Sequence, residues 1–145
     1  MRTEAIVKLS RTASYALQAV LQLAQSDASG SPVPCSRLAA QGKMPERFLL
    51  QILRNLVTHG ILGSTRGVEG GYVLERSPEE VSLLEVIEAV DGPVAASLPG
   101  DGLSEPASSK LKCTLAGVTE LARRELAAVK LAHLLPPSNR HGLAG

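Results

Sequence analysis

The residues of this chain best suited to recognition chemistry sit close together. Arg47, Gln51, Arg54, Asn55 and Thr58 recur at three- and four-residue steps, and at about 100° per residue such steps fall on one side of a helix. Arginine offers a fork that fits guanine, glutamine and asparagine pair a donor with an acceptor as adenine requires, and threonine meets a thymine methyl or the backbone. Arg66 follows at the root of the run Arg66-Gly67-Val68-Glu69-Gly70-Gly71-Tyr72, whose glycines permit the positive φ of a tight hairpin. A polar helix face followed directly by a glycine-rich hairpin bearing a cation is the pattern of a winged helix that meets a nucleic acid. The same residues also allow a blander arrangement, a solvated surface helix beside an ordinary hairpin.

No other constellation competes with this one. There is no paired nucleophile and base, no phosphate-binding loop and no His or Cys cluster at metal-ligand spacing, so neither an enzyme nor a metal site is expected. His59 stands near the end of the reading helix, where it serves as a cap favoured by the helix dipole.

The elements that must position the reading face can be traced on either side of it. Pro45-Glu46-Arg47 opens the helix, with proline favoured at a first helical position because it lacks the N–H that would go unpaired. Phe48, Leu49, Ile52, Leu53, Leu56 and Val57 form its buried stripe, and Gly60 ends it with a left-handed cap. Strands are predicted over 61–66 and 72–75, with the hairpin between them. Upstream, a helix over 12–25 is capped by Ser10 or Thr12, and Lys8 and Arg11 just before it are phosphate candidates. A turn-rich segment leads to a short helix over 35–41 and the turn Gly42-Lys43-Met44, giving helix, tight turn, helix. Ser36 and Arg37 lie where the first of two such helices crosses a sugar–phosphate backbone, and Lys43 joins them as a phosphate candidate.

Downstream, Ser82 and Glu85 make a capping-box pair that opens a helix over 83–90. Residues 93–109 are rich in Gly, Pro and Ser and read as a flexible loop. From 110 to 135 the helical period returns with a stripe too broad for the remaining chain to cover, which predicts a dimerisation helix. Pro136-Pro137 stops it, and the tail to 145 is expected to be disordered. The expected fold is mainly α with a small β-hairpin wing: a winged helix-turn-helix domain over 8–92, then the loop, then the dimer helix.

Bulk properties agree. The chain has 145 residues and a net charge of +1, but the charge is unevenly placed, +4 over residues 1–76 and −3 over 77–145. The positive half holds the reading helix, as an anionic partner requires. With 44% hydrophobic residues but only Tyr15, Phe48 and Tyr72 aromatic, the core must be aliphatic. No run is long enough to span a membrane, no secretory signal opens the chain, and two cysteines make no disulfide framework, so a cytoplasmic protein is expected.

Four segments in fixed order carry a family resemblance: Lys8-Leu9-Ser10 before Tyr15-Ala16-Leu17; Phe48-Leu49-Leu50-Gln51-Ile52-Leu53; Arg66-Gly67 to Gly70-Gly71-Tyr72; and Leu83-Leu84-Glu85-Val86-Ile87-Glu88-Ala89-Val90-Asp91-Gly92-Pro93. Over about residues 8–135 the chain resembles the bacterial winged-helix repressors typified by IscR, NsrR and CymR, the Rrf-two family. The resemblance implies a homodimer joined through residues 110–135 that binds a pseudo-palindromic duplex, recognition helix in the major groove and wing in the minor groove. In those terms Arg47, Gln51, Arg54 and Asn55 read bases. Arg66 enters the minor groove while Gly67, Gly70 and Gly71 let the backbone approach. Lys8, Arg11, Ser36, Arg37 and Lys43 hold phosphates.

The departures from the family pattern matter as much. Cluster-bearing members place three cysteines in the loop and at the start of the dimer helix; here Cys113 stands alone, Ala116 occupies the place of a ligating His, and Ser14 the approximate place of a partner-chain carboxylate. An iron–sulfur cluster needs about four ligands, mostly thiolates, so none is expected and no other cofactor is implied. Asp101 and Glu105 are the only nearby residues that could assist. Leu50 sits where many members carry Glu, which suggests a changed operator preference through a thymine methyl. Cys35 and Cys113 read as small buried hydrophobes, with Cys113 the candidate for a redox-sensing thiol. The reading is therefore a dimeric, sequence-specific DNA-binding repressor without a cluster. The alternatives are a winged domain that binds a partner protein instead of DNA, or a regulator sensing through a thiol or a cluster.

Overall fold

The computed structural model describes residues 9–26, 30–95 and 102–136; Lys8, Asp101 and most of the tail lie outside them. Among the described residues, six helices and one hairpin follow in the order α1 (Arg11–Ser26), α2 (Cys35–Gly42), α3 (Glu46–Thr58), β1 (Leu62–Thr65), β2 (Gly71–Leu74), α4 (Leu83–Asp91), α5 (Ala107–Ala128) and α6 (Leu131–Leu134). α1 packs on α4 and α3, and α2 on α3. Their shared core is aliphatic: Val20, Leu38, Leu49, Ile52, Leu53, Leu56, Ile61 and Val86 are all almost wholly buried.

Local sequence explains most element ends. Ser10 caps α1 by accepting the Ala13 N–H at 2.9 Å, and its own hydroxyl donates to Asp91 Oδ2 at 2.6 Å, tying the start of α1 to the end of α4. α3 starts one residue later than expected, because Pro45 is extended (φ −63°, ψ 121°) and serves as the N-cap. It ends in a Schellman motif, with the Gly60 N–H on the Val57 carbonyl, the Ile61 N–H on the Leu56 carbonyl, and Gly60 at φ +77°. Ser82 caps α4 by accepting the Glu85 N–H at 3.1 Å. The reciprocal half of the box is missing, since the Glu85 carboxylate pairs with Arg76 instead.

The wing is an antiparallel hairpin in the register Leu62↔Leu74 to Thr65↔Gly71. The segment before α2 adds a third edge, where Val33 and Tyr72 exchange both backbone hydrogen bonds at 3.0 and 2.8 Å.

The C-terminal region differs from expectation in one respect. The helix predicted to run from 110 to 135 starts at Ala107 and stops at Ala128. Val129 and Lys130 are extended and lie beside Ser82, with the Leu83 N–H on the Val129 carbonyl and the Leu131 N–H on the Val81 carbonyl. α6 then places Leu131 wholly within the core of the winged domain. Residues beyond the long helix thus complete the domain expected to close at residue 92. Two backbone groups that would have paired inside a longer helix, the Val129 carbonyl and the Leu131 N–H, pair with Leu83 and Val81 instead. α5 itself packs on α4, where Arg123 pairs with Glu88.

Candidate nucleic-acid interface

α3 is fixed from below and open above. Leu49, Ile52, Leu53 and Leu56 are sealed in the core, while Arg47, Gln51, Arg54 and Thr58 are exposed on the outer side and Asn55 and Leu50 are half-buried at its margins. Among the described residues, no hydrogen bond or ion pair engages the side chains of Arg47, Gln51 or Arg54, so their donors face solvent. Thr58 spends its hydroxyl on the Arg54 carbonyl at 3.0 Å. His59 closes the helix through Nδ1 on the Asn55 carbonyl at 2.9 Å, the expected cap. Phe48 departs from its predicted place in the buried stripe. It is 38% exposed and meets Tyr15 of α1 edge-on, with ring centroids 5.7 Å apart, so it braces α3 against α1 from outside the core.

The described phosphate candidates are exposed on α1, on α2 and in the turn before α3. Ser36 and Arg37 are exposed in the first turn of α2, and Lys43 is exposed in the turn between α2 and α3, where it takes the left-handed conformation (φ +54°). Arg11 is exposed at the start of α1. Lys8 lies outside the described residues.

A groove runs between α3 and the wing, lined by Arg54, Thr58, Ser64, Thr65, Arg66 and Tyr72 among others. Two guanidinium groups and several hydroxyls along one channel suit a phosphodiester strand. Ser64 and Thr65 were not foreseen as site residues. The signal was their position in the strand leading to Arg66. The three wing glycines have different reasons. A side chain at Gly70 would meet the Thr65 carbonyl oxygen at 2.2 Å, and one at Gly71 would meet the Val33 carbonyl carbon at 2.4 Å, so both are demanded by the hairpin and its third edge. Only Gly67, at φ +115° with open space around it, leaves the wing bare toward solvent.

The cysteines stand on α2 and α5. Cys35 starts α2 and lines the groove, half-buried, with its thiol on the Glu46 carbonyl at 3.7 Å. Burial and, next, the Glu46 carboxylate push this thiol up from its ordinary range. Tyr72 is pushed up too, by burial and then Cys35, against the opposing pull of Arg54. Cys113 is exposed on α5 rather than buried. Among the described residues, no three His, Cys, Asp or Glu side chains converge on one point. With two cysteines on different elements, one chain offers fewer thiolates than the roughly four that an iron–sulfur cluster takes. No helix among those residues is long and apolar enough to cross a membrane.

Comparison with known proteins gives a consistent picture. The chain is 43% identical over 90 residues to an HTH-type transcriptional regulator of Mycobacterium tuberculosis strain H37Rv, covering 62% of this chain and 55% of that protein. It thus spans little more than half the length of that relative. The solved structure of CymR, the global cysteine regulator of B. subtilis, superposes with a TM-score of 0.72 at 25% identity, over 89% of this chain and 96% of that one. IscR of T. potens superposes with a TM-score of 0.66 at 27% identity, over 89% and 86%. These are regulators rather than enzymes, and the family model described as "Iron-dependent Transcriptional regulator" matches residues 9–137. The winged helix-turn-helix, its open reading face and this match together place the chain in the Rrf2 family of transcriptional regulators.

Proposed function

We propose that this chain is a homodimeric, sequence-specific DNA-binding repressor of the cytoplasm that works without an iron–sulfur cluster. The observation that carries the reading is the unoccupied polar face of α3, continuous across a hydroxyl-lined groove with Arg66 of the wing. Arg47, Gln51, Arg54 and Asn55 read base edges in the major groove, with Leu50 against a thymine methyl. Arg66 enters the adjacent minor groove, Gly67 keeps the wing slim there, and Gly70 and Gly71 hold its shape. Arg11, Ser36, Arg37, Lys43 and Lys8 grip phosphates on either side. Two copies joined through α5 present two such surfaces, and half-sites about 34–36 Å apart follow from one helical turn of duplex.

Enrichment of bound sequences from a random duplex library tests the reading directly. A two-fold symmetric consensus with that spacing is expected. No enrichment, or a consensus with a single half-site, overturns it. With two thiols per chain against the roughly four that a cluster takes, protein purified without oxygen should carry no visible cluster absorbance; a brown protein would refute that part alone.

A further inference from the structure

The tip of the wing holds a residue that a purely electrostatic minor-groove contact would not choose. The Gly70 N–H donates to the Gly67 carbonyl at 3.0 Å, closing a turn in which Val68 and Glu69 are the two central residues. Neither has a positive φ, as in the common type I turn. Val68 is 105% exposed and Glu69 is exposed. Among the described residues no hydrogen bond or ion pair holds Glu69; the tip only overhangs a shallow groove above Ser31, Pro32 and Pro34. The wing's outermost charge is therefore negative, next to Arg66, on the half of the chain that is otherwise positive.

The minor groove is a region of negative potential bordered by phosphates, and a carboxylate brought there is repelled. One base group can repay that cost. Among minor-groove edges only guanine offers a donor, its 2-amino group; every other edge presents acceptors alone. We infer that Glu69 is a specificity-determining residue that accepts from the guanine 2-amino group, so that the wing selects a G·C pair at the position it reaches. This rests on the DNA-binding reading above and adds to it, in each half-site, a base position that the wing reads independently of α3. Arg66 supplies attraction, and Glu69 makes that attraction conditional on sequence.

Inosine provides the test, because it lacks the 2-amino group of guanine and keeps the major-groove edge that α3 would read. The duplex is the consensus enriched by the wild-type protein. Expected are a G·C pair at one position in each half-site, outside the base pairs that α3 reads, and about tenfold weaker wild-type binding when inosine replaces that guanine. Glu69→Ala should bind the guanine and inosine duplexes within about twofold of each other. It should also bind a duplex with A·T at that position more tightly than wild type does, having lost the repelled charge. Glu69→Gln, whose amide oxygen still accepts, should keep part of the discrimination. An enriched consensus without G·C at those positions, or equal wild-type affinity for guanine and inosine, overturns the inference while leaving the DNA-binding reading intact. Failure to enrich any duplex overturns that reading itself.

Discussion

Arg54 and Lys43 carry the same charge but stand in different settings, which separates what each should do. Arg54 projects from the middle of α3 into the groove beside the wing, with no hydrogen bond or ion pair to its guanidinium among the described residues. Lys43 stands in the turn before the helix. Arg54→Ala should cost about 1–3 kcal/mol on the preferred duplex and relax preference at one base position. Lys43→Ala should weaken binding to all sequences alike and reduce the slope of log affinity against log salt by about one. Titrations of both variants against specific and random duplexes over a range of salt would distinguish the roles; identical behaviour would refute the assignment. The two thiols separate in the same way. Cys35 is half-buried, bonded to a carbonyl, and pushed up by burial and Glu46, so it stays protonated at neutral pH. Because its folded value is raised, the associated stability is present at neutral pH and is lost only as pH climbs through that raised value. Cys113 is exposed. Under native conditions near pH 8, a thiol reagent followed by peptide mass mapping should therefore label Cys113 well before Cys35.

Among the elements, the wing shows how a short hairpin is kept rigid. Its second strand, β2, is clamped by Val33, and the clamp leaves no room for a side chain at Gly71, whose φ is +153°. Gly71→Ala should lower stability by about 1–3 kcal/mol through that overlap and strained φ, measured as a lower urea midpoint with unchanged m. Gly67→Ala, with open space around it, should lose less, only the cost of its φ of +115°. α1 to α4 were legible in the sequence because their period, caps and breakers agree: Ser10, Gly60, Ser82 and the Leu49–Leu56 stripe each do in three dimensions what their types predict. The third edge at Val33 was not legible, since one isolated bridge between prolines leaves no alternation to detect. Nor was the break at Val129. No Gly or Pro marks it, and it exists because residues 81–83 offer backbone partners from a distant part of the chain. Phe48 sat on the apolar period yet lies outside the core, because Tyr15 offers its ring an edge there. For the reading face, the polar arc of α3 could be read from spacing alone, whereas the contribution of Ser64 and Thr65 depends on how the hairpin folds back beside α3.

At the scale of the whole molecule, α5 is the element that a single chain leaves unfinished. Of its 22 residues only Ser108 is buried, and Val118 and Leu121 are 50% and 62% exposed. Its inner side is already held, with Arg123 paired to Glu88, so the outer apolar side is available to a second copy. Two-fold pairing of one helix face with itself is self-complementary, which makes each apolar residue count twice at the interface. In the proposed dimer, Leu121→Arg should therefore shift sedimentation from dimer to monomer at micromolar concentration, since it places an unpaired charge on the apolar face of each copy. Because Leu121 is mostly exposed within its own chain, the thermal midpoint of the winged domain measured on dilute monomer should hardly move. Duplex binding should nevertheless fall steeply, because a monomer must engage each half-site separately and loses the effective concentration that the linked partner provides. A variant that remains dimeric, or a monomer that binds a full site as tightly as wild type, would refute the assignment of α5 as the joint between two reading heads.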